Sequence, residues 1–321
     1  MHVVRLKEVF VGNFHRLKIA GFLLLPALLT VPVFGQTDFA GEWVPLFHED
    51  LPERLPGPEL GDYMGIPINA AARQRADSYD PDRISVAQEY QCRPHGGDYS
   101  MRGLSNMRID PIIDPVTQRL IAWHTRMNFQ EMERTLWMDQ RPHPGELAPH
   151  TWQGFTTASW DKNMLNGYTT HLKESYLRRN GLPRSDKATF TEHWVRHGNY
   201  LTVTTTITDP VFLTEPMTRS QTWILDTTQR MGRDICEYGP EVPKPRADYV
   251  PNHFPGTNPF LHEVADWYGL PYAATRGGAE TLYPEFRQKM AKPEHPKESC
   301  ERYCDCGAAG NNSCLLDAKR R

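Results

Sequence analysis

Between about Leu104 and Tyr238 the chain consists almost entirely of short runs rich in β-branched and aromatic residues, each followed by turn residues. The runs are Met107–Ile113, Arg119–Phe129, Glu133–Asp139, Gly154–Trp160, Met164–Leu172, Thr189–His197, Tyr200–Thr208 and Met217–Leu225. Close spacing of this kind is the pattern of an antiparallel sandwich or barrel, so the fold class is mainly β. About eight strands suffice to close a barrel whose mouth holds one small ligand.

One hairpin also fixes which way its side chains point. If Gly198 and Asn199 form a two-residue loop, His197 faces Tyr200 and the register of the whole pair follows. Phe190, Glu192, Trp194 and Arg196 then share a face with Leu201, Val203, Thr205 and Ile207, and this apolar face is expected to point inward. His193 and His197 fall on the opposite face, in a stripe of threonines. A metal there needs a third ligand that the sequence does not place, so no metal or other cofactor is expected.

Glu192 is the residue with chemical potential. A carboxylate among aromatic and branched side chains is costly unless paired, and desolvation raises its pKa toward the range of a general acid or base. The other reading is a structural ion pair, with Arg196 or with an arginine from the next strand. In the catalytic version Asp186 or His171 assists. Asp186 belongs to the loop Glu174–Ala188, which also carries Arg179 and is placed to fold over a barrel mouth. Ser185-Asp186 is equally what an ordinary turn uses. Trp194, Phe190 and Arg196 from the hairpin, Arg179 from the loop and His150 at the start of the same sheet are the candidates for ligand contact. No nucleophile elbow, phosphate-binding loop, dinucleotide glycine set or H-E-x-x-H is found, so hydrolase, nucleotide and zinc-protease chemistry of the standard kinds lacks support.

The ends of the chain speak to compartment. Arg5, Lys7, Arg16 and Lys18 precede the apolar run Ile19 to Val31, which Pro26 interrupts and Val33, Phe34 and Gly35 close. That is a cleavable export signal over residues 1–35, too short and too broken to span a bilayer, which takes roughly 20 apolar residues. Export to the periplasm or the medium is therefore expected, with no membrane span after cleavage. The net charge of −3 offers no basic block for nucleic acid. In an oxidising compartment the six cysteines become disulfide candidates. Cys92 and Cys236 flank the β-rich region and are expected to pair. Cys300, Cys304, Cys306 and Cys314 crowd the tail as two further disulfides or a metal knot, although the C-x2-C pairs of a zinc ribbon are missing.

Outside the β region, residues 36–103 read as an irregular arm wrapping the body, with a short helix capped by Asn69 and running to about Ser78. The barrel occupies 104–240. A helical bracket follows over 241–292, with helices at Pro259–Tyr268, ended by Gly269, and at about Pro284–Met290. Residues 293–321 are the cysteine-rich tail.

Two stretches resemble known proteins. Phe39-Ala40-Gly41-Glu42-Trp43 resembles the G-x-W opening of lipocalin-type barrels, where the tryptophan closes the barrel floor. The block Gly154 to Pro210, through Trp160, Leu165, Thr169, Tyr176-Leu177, Gly181, Ser185-Asp186, Thr191-Glu192 and Asp209-Pro210, resembles a group of uncharacterised exported bacterial proteins. The first resemblance implies a calycin-like barrel, and the second implies a shape without a reaction. Together with the hairpin they predict a barrel that takes up a small apolar or aromatic molecule. It either converts that molecule, as an isomerase, lyase or hydrolase, or only binds it. A structural or partner-binding envelope protein is the expectation if side chains fill the interior.

Overall fold

The computed structural model describes residues 37–46, 61–80, 92–103, 105–178, 180–228, 231–232, 236–237 and 252–290. The chain divides into two units, 1–38 and 39–321, and the second carries the fold. The signal, the cysteine tail, Arg179 and parts of the arm, residues 47–60 and 81–91, lie outside the described residues.

Among the described residues there are eleven strands: β1 (Gly41–Pro45), β2 (Met107–Ile113), β3 (Leu120–Met127), β4 (Met132–Trp137), β5 (Phe155–Asp161), β6 (Met164–Thr170), β7 (Ser175–Tyr176), β8 (Pro183–Arg184), β9 (Thr189–His197), β10 (Tyr200–Thr208) and β11 (Met217–Leu225). Nine of them close into a barrel in the order β1-β11-β10-β9-β6-β5-β4-β3-β2, while β7 and β8 pair separately. The eight expected runs are all barrel strands. The ninth is β1, which the sequence reading assigned to the arm. It bridges β11 and β2 through Trp43, opposite both Leu225 and Met107, and so removes both sheet edges.

One pairing departs from the antiparallel expectation. β4 and β5 run parallel, Leu136 opposite Thr156 and Trp137 opposite Thr157. Their connection, residues 138–154, is long enough to return the chain to the end it left, as a parallel pair demands. His143 pins this crossover, with Nδ1 2.7 Å from Thr170 Oγ1 and Nε2 2.8 Å from Thr157 Oγ1.

Helix α1 (Ala70–Asp77) begins where expected, because Asn69 Oδ1 accepts from the Ala72 N–H at 3.0 Å. Helix α2 is a single turn, Gly97–Ser100. Helix α3 (Glu263–Tyr268) ends at Gly269 in the left-handed conformation, as its sequence position requires, but starts four residues later than the expected Pro259. The Asn258 side chain is occupied in a local turn with the Phe260 N–H and donates to the Asp77 carbonyl, so it caps no helix. Helices α4 (Tyr272–Thr275) and α5 (Pro284–Lys289) follow. None of the described helices is long and apolar enough to cross a membrane.

Two apolar clusters organise the packing. The first lies inside the barrel: Trp43, Met107, Ile109, Trp123, Met127, Met132, Leu136, Leu165, Trp194, Leu201, Val203 and Trp223 from the strands, joined by Phe39 and Met101 from outside them. The second combines Phe190, Ile207 and Met217 of the barrel with α1, Tyr63, Ile68, Leu177, Leu182 and Phe212. The loop Glu174–Ala188 thus contributes Leu177 and Leu182 to this second cluster. Gly181 there, at φ +87°, sits so close that a Cβ would fall 2.3 Å from Tyr79. The chain is further closed by a Cys92–Cys236 disulfide, as expected from the sequence.

Candidate functional site

The hairpin has the register read from its turn: His197 faces Tyr200, Glu192 faces Thr205 and Phe190 faces Ile207. Phe190, Glu192 and Trp194 are buried, while Thr191, Val195 and His197 are exposed. Period-two alternation over nine residues, anchored by a two-residue loop, fixes this outcome locally.

Glu192 is fully buried, and its partner is Arg134. Arg134 Nη1 donates to Glu192 Oε1 at 3.0 Å, and Nη2 donates to Oε2. The same Nη2 lies 3.2 Å from Thr156 Oγ1 and 3.3 Å from Thr169 Oγ1, and the two hydroxyls are 2.8 Å apart. The expected partners were Arg196 or an arginine on the next strand. Instead Arg134 reaches from β4, three strands away round the wall, so the pair spans the interior. Gly167 lies opposite Glu192 on β6, where a Cβ would meet Glu192 Oε2 at 3.4 Å. A forked guanidinium on a carboxylate, with hydroxyls taking up remaining hydrogen-bond capacity, is the arrangement that makes a buried pair tolerable.

One rung along the wall lies a second feature. Trp160 faces Leu165, Leu165 faces Trp194 and Trp194 faces Val203, directly beside the rung Ala158, Gly167, Glu192, Thr205. Into this space comes Phe39, which precedes β1 and is itself 1 % exposed. Its ring centroid is 5.3 Å from Trp160, stacked, 5.7 Å from Trp123, edge-on, and 6.3 Å from Trp194. Its carbonyl accepts from Trp43 Nε1 at 3.0 Å. The indole nitrogens of Trp123, Trp160, Trp194 and Trp223 are buried and have no acceptor among the described residues. A cleft of about 520 Å³ lies on the neighbouring residues, lined by Ala40, Gly41, Leu225 and Met231 with Glu42, Arg108 and Asp226.

The other residues singled out by sequence lie elsewhere. Asp186 is exposed, and His171 lies outside the barrel with Nε2 2.9 Å from the Gly145 carbonyl and Nδ1 2.7 Å from Thr170 Oγ1. Neither is brought to Glu192. His150 stacks edge-on against His171 at 5.3 Å, with Nδ1 at the Leu172 carbonyl. Phe190 joins the second cluster, and the Arg196 guanidinium lies 5.2 Å over the Trp43 ring. Among the described residues no group of histidine, cysteine and carboxylate side chains could hold a metal. His193 contacts Asn166 at 2.7 Å in the outward stripe.

Sequence reasoning missed Arg134, Phe39 and a second buried pair. Arg184 Nε donates to Asp98 Oδ1 at 3.3 Å with both side chains fully buried. Gly96 lies against them, since a Cβ there would come within 2.5 Å of Arg184 Nη2. Next in the chain, Ser185 Oγ donates to Asp209 Oδ1 at 2.7 Å, so Ser185 anchors a loop rather than facing a mouth. Arg134 did carry a signal: it stands between Met132 and Leu136 on the inward face of a clean alternation.

No protein-family model matches the chain, and no curated protein matches it. Among solved structures, apo lipid binding protein 8 of Caenorhabditis elegans is similar at a TM-score of 0.27 and 12 % identity, over 59 % of this chain and 95 % of that one. An overlap that low carries no argument about function.

Proposed function

We propose that this is an exported binding protein whose barrel takes a small aromatic or apolar molecule into the position held by Phe39. The observation that carries the reading is Phe39 itself. It is an aromatic ring supplied from outside the strands, enclosed by Trp123, Trp160 and Trp194, and next to a cleft on Ala40 and Gly41. A pocket of aromatic walls with a few polar groups is what small-ligand sites are made of. Phe39 then acts as a resident plug, which a ligand must displace, and apparent affinity is lowered by the fraction of time the plug is in place. In this reading Glu192 and Arg134 are part of the wall, with no role in catalysis. Export is supported by the disulfide, which persists only where thiols are not kept reduced.

The test is titration of the wild-type protein with a fluorescent apolar probe. One-to-one binding is expected, competed by toluene, tighter in Phe39→Ala and lost in Phe39→Trp. Absence of binding to both wild type and Phe39→Ala refutes the reading. A second reading, a filled barrel that only presents surfaces to a partner, is favoured by the complete burial of Trp43 and Trp223. It predicts no binding to the wild type at any concentration, with Phe39→Ala taking up the probe only in the cavity that the substitution creates.

A further inference from the structure

We infer that the ligand carries a hydrogen-bond acceptor and no donor beside its aromatic ring, as in an aryl ketone, ester or quinone, in contrast to a phenol or an amine. This rests on the reading of the Phe39 position as the ligand site and specifies its chemistry. The polar atoms left over on the inner wall are strongly biased. Four indole N–H groups, of Trp123, Trp160, Trp194 and Trp223, are buried without an acceptor among the described residues, and Arg134 Nε–H is a fifth such donor. Indole nitrogen donates only.

The carboxylate and threonine acceptors around Arg134 are committed. Both Glu192 oxygens are taken by Arg134 Nη1 and Nη2, and the Thr156 and Thr169 hydroxyls bond each other and the same guanidinium. The hydroxyl of Thr205 is the exception on that rung, buried and without a partner among the described residues, and it too can donate; away from the rung, Glu42 Oε2 in the neighbouring cleft is a buried acceptor without a partner among the described residues. Trp43 shows what a satisfied indole looks like here, bonded to the Phe39 carbonyl. A phenyl ring such as Phe39 offers the three indoles around it no more than its π face, a weak acceptor. Buried polar groups are nearly all paired in folded proteins, so a wall of unpaired donors around one ring points to an acceptor arriving there. A ligand donor would instead leave water for a wall with little to receive it.

The experiment compares acetophenone with α-methylstyrene, which has the same shape with a CH2 group in place of the carbonyl oxygen. Calorimetric titration of the wild-type protein is expected to show acetophenone binding about tenfold tighter, the scale of one hydrogen bond. Acetophenone alone should move indole N–H resonances in the proton spectrum, and the preference should shrink in Trp194→Phe or, should that variant not fold, in Trp160→Phe. Equal affinity of the two probes, or tighter binding of α-methylstyrene, overturns the acceptor assignment and leaves the binding site standing. Failure of both probes to bind wild type and Phe39→Ala removes the site itself.

Discussion

At the scale of single residues, the buried Arg134–Glu192 pair controls more than its surface partners could. Glu192→Gln keeps the shape but leaves the Arg134 guanidinium, 5 % exposed, without a countercharge. Breaking a buried pair in this way costs about 3 to 5 kcal/mol, far above the fraction of a kcal/mol for an exposed pair such as Arg141 with Asp139. Urea denaturation of the two variants should show a large shift in midpoint for Glu192→Gln and almost none for Asp139→Asn. Replacing both buried partners, Arg134→Met with Glu192→Leu, should recover most of the loss, because no uncompensated charge remains. A stability unchanged in Glu192→Gln would mean that the pair is not what closes this part of the interior. Glu192 was legible as an inward carboxylate because its direction follows from a two-residue turn six positions away. Its partner was not, since nothing local to either strand says that β4 and β9 face each other across a closed barrel.

At the scale of elements, alternation and turn chemistry recovered eight strands nearly to the residue, and the exceptions share a cause. β1 has only five residues and ends in Pro45, so its intrinsic signal is weak, and it exists because β11 and β2 both need a neighbour. The parallel β4–β5 step is likewise a property of closure and depends on where the 138–154 crossover is tied. That tie gives a pH dependence. Burial pushes the His143 imidazole below its ordinary pKa, and His171 adds to the shift. A depressed imidazole pKa means that the fold favours the neutral ring. The contribution is therefore complete above the ordinary value of about 6.5 and is lost as pH falls toward the lowered one. Protonation would also turn both ring nitrogens into donors, breaking the pattern in which one of them accepts from a threonine. Limited proteolysis should accordingly cut within 138–154 faster at pH 5 than at pH 7.5, while His143→Gln should flatten that dependence. A cleavage rate that does not change with pH would remove His143 from this role.

At the scale of the whole molecule, two devices hold the fold beyond its strand pairing, and they differ in what they do to the unfolded chain. The Cys92–Cys236 bridge joins the segment before β2 to the segment after β11, 144 residues apart. On the chain-entropy account a loop of this size contributes about 5 kcal/mol through the unfolded state, so reduction should lower the melting temperature markedly without altering the native spectrum.

Phe39 acts on the native state alone, and this makes its substitution diagnostic. Phe39→Ala should cost about 3 to 5 kcal/mol, the transfer term plus the cavity left among Trp123, Trp160 and Trp194. A ligand that fills the vacated space binds only the folded form and returns stability in proportion to the logarithm of its concentration over its dissociation constant. Saturating toluene should therefore raise the melting temperature of Phe39→Ala by several degrees. A filled core residue would give no response in the wild type, where the ring has no competitor. A resident plug predicts a smaller but measurable rise in wild type, because displacement of Phe39 is then part of the native ensemble. Thermal melts of the two proteins across a toluene series distinguish these outcomes, and a wild-type curve that does not move at any concentration assigns Phe39 to the core for good.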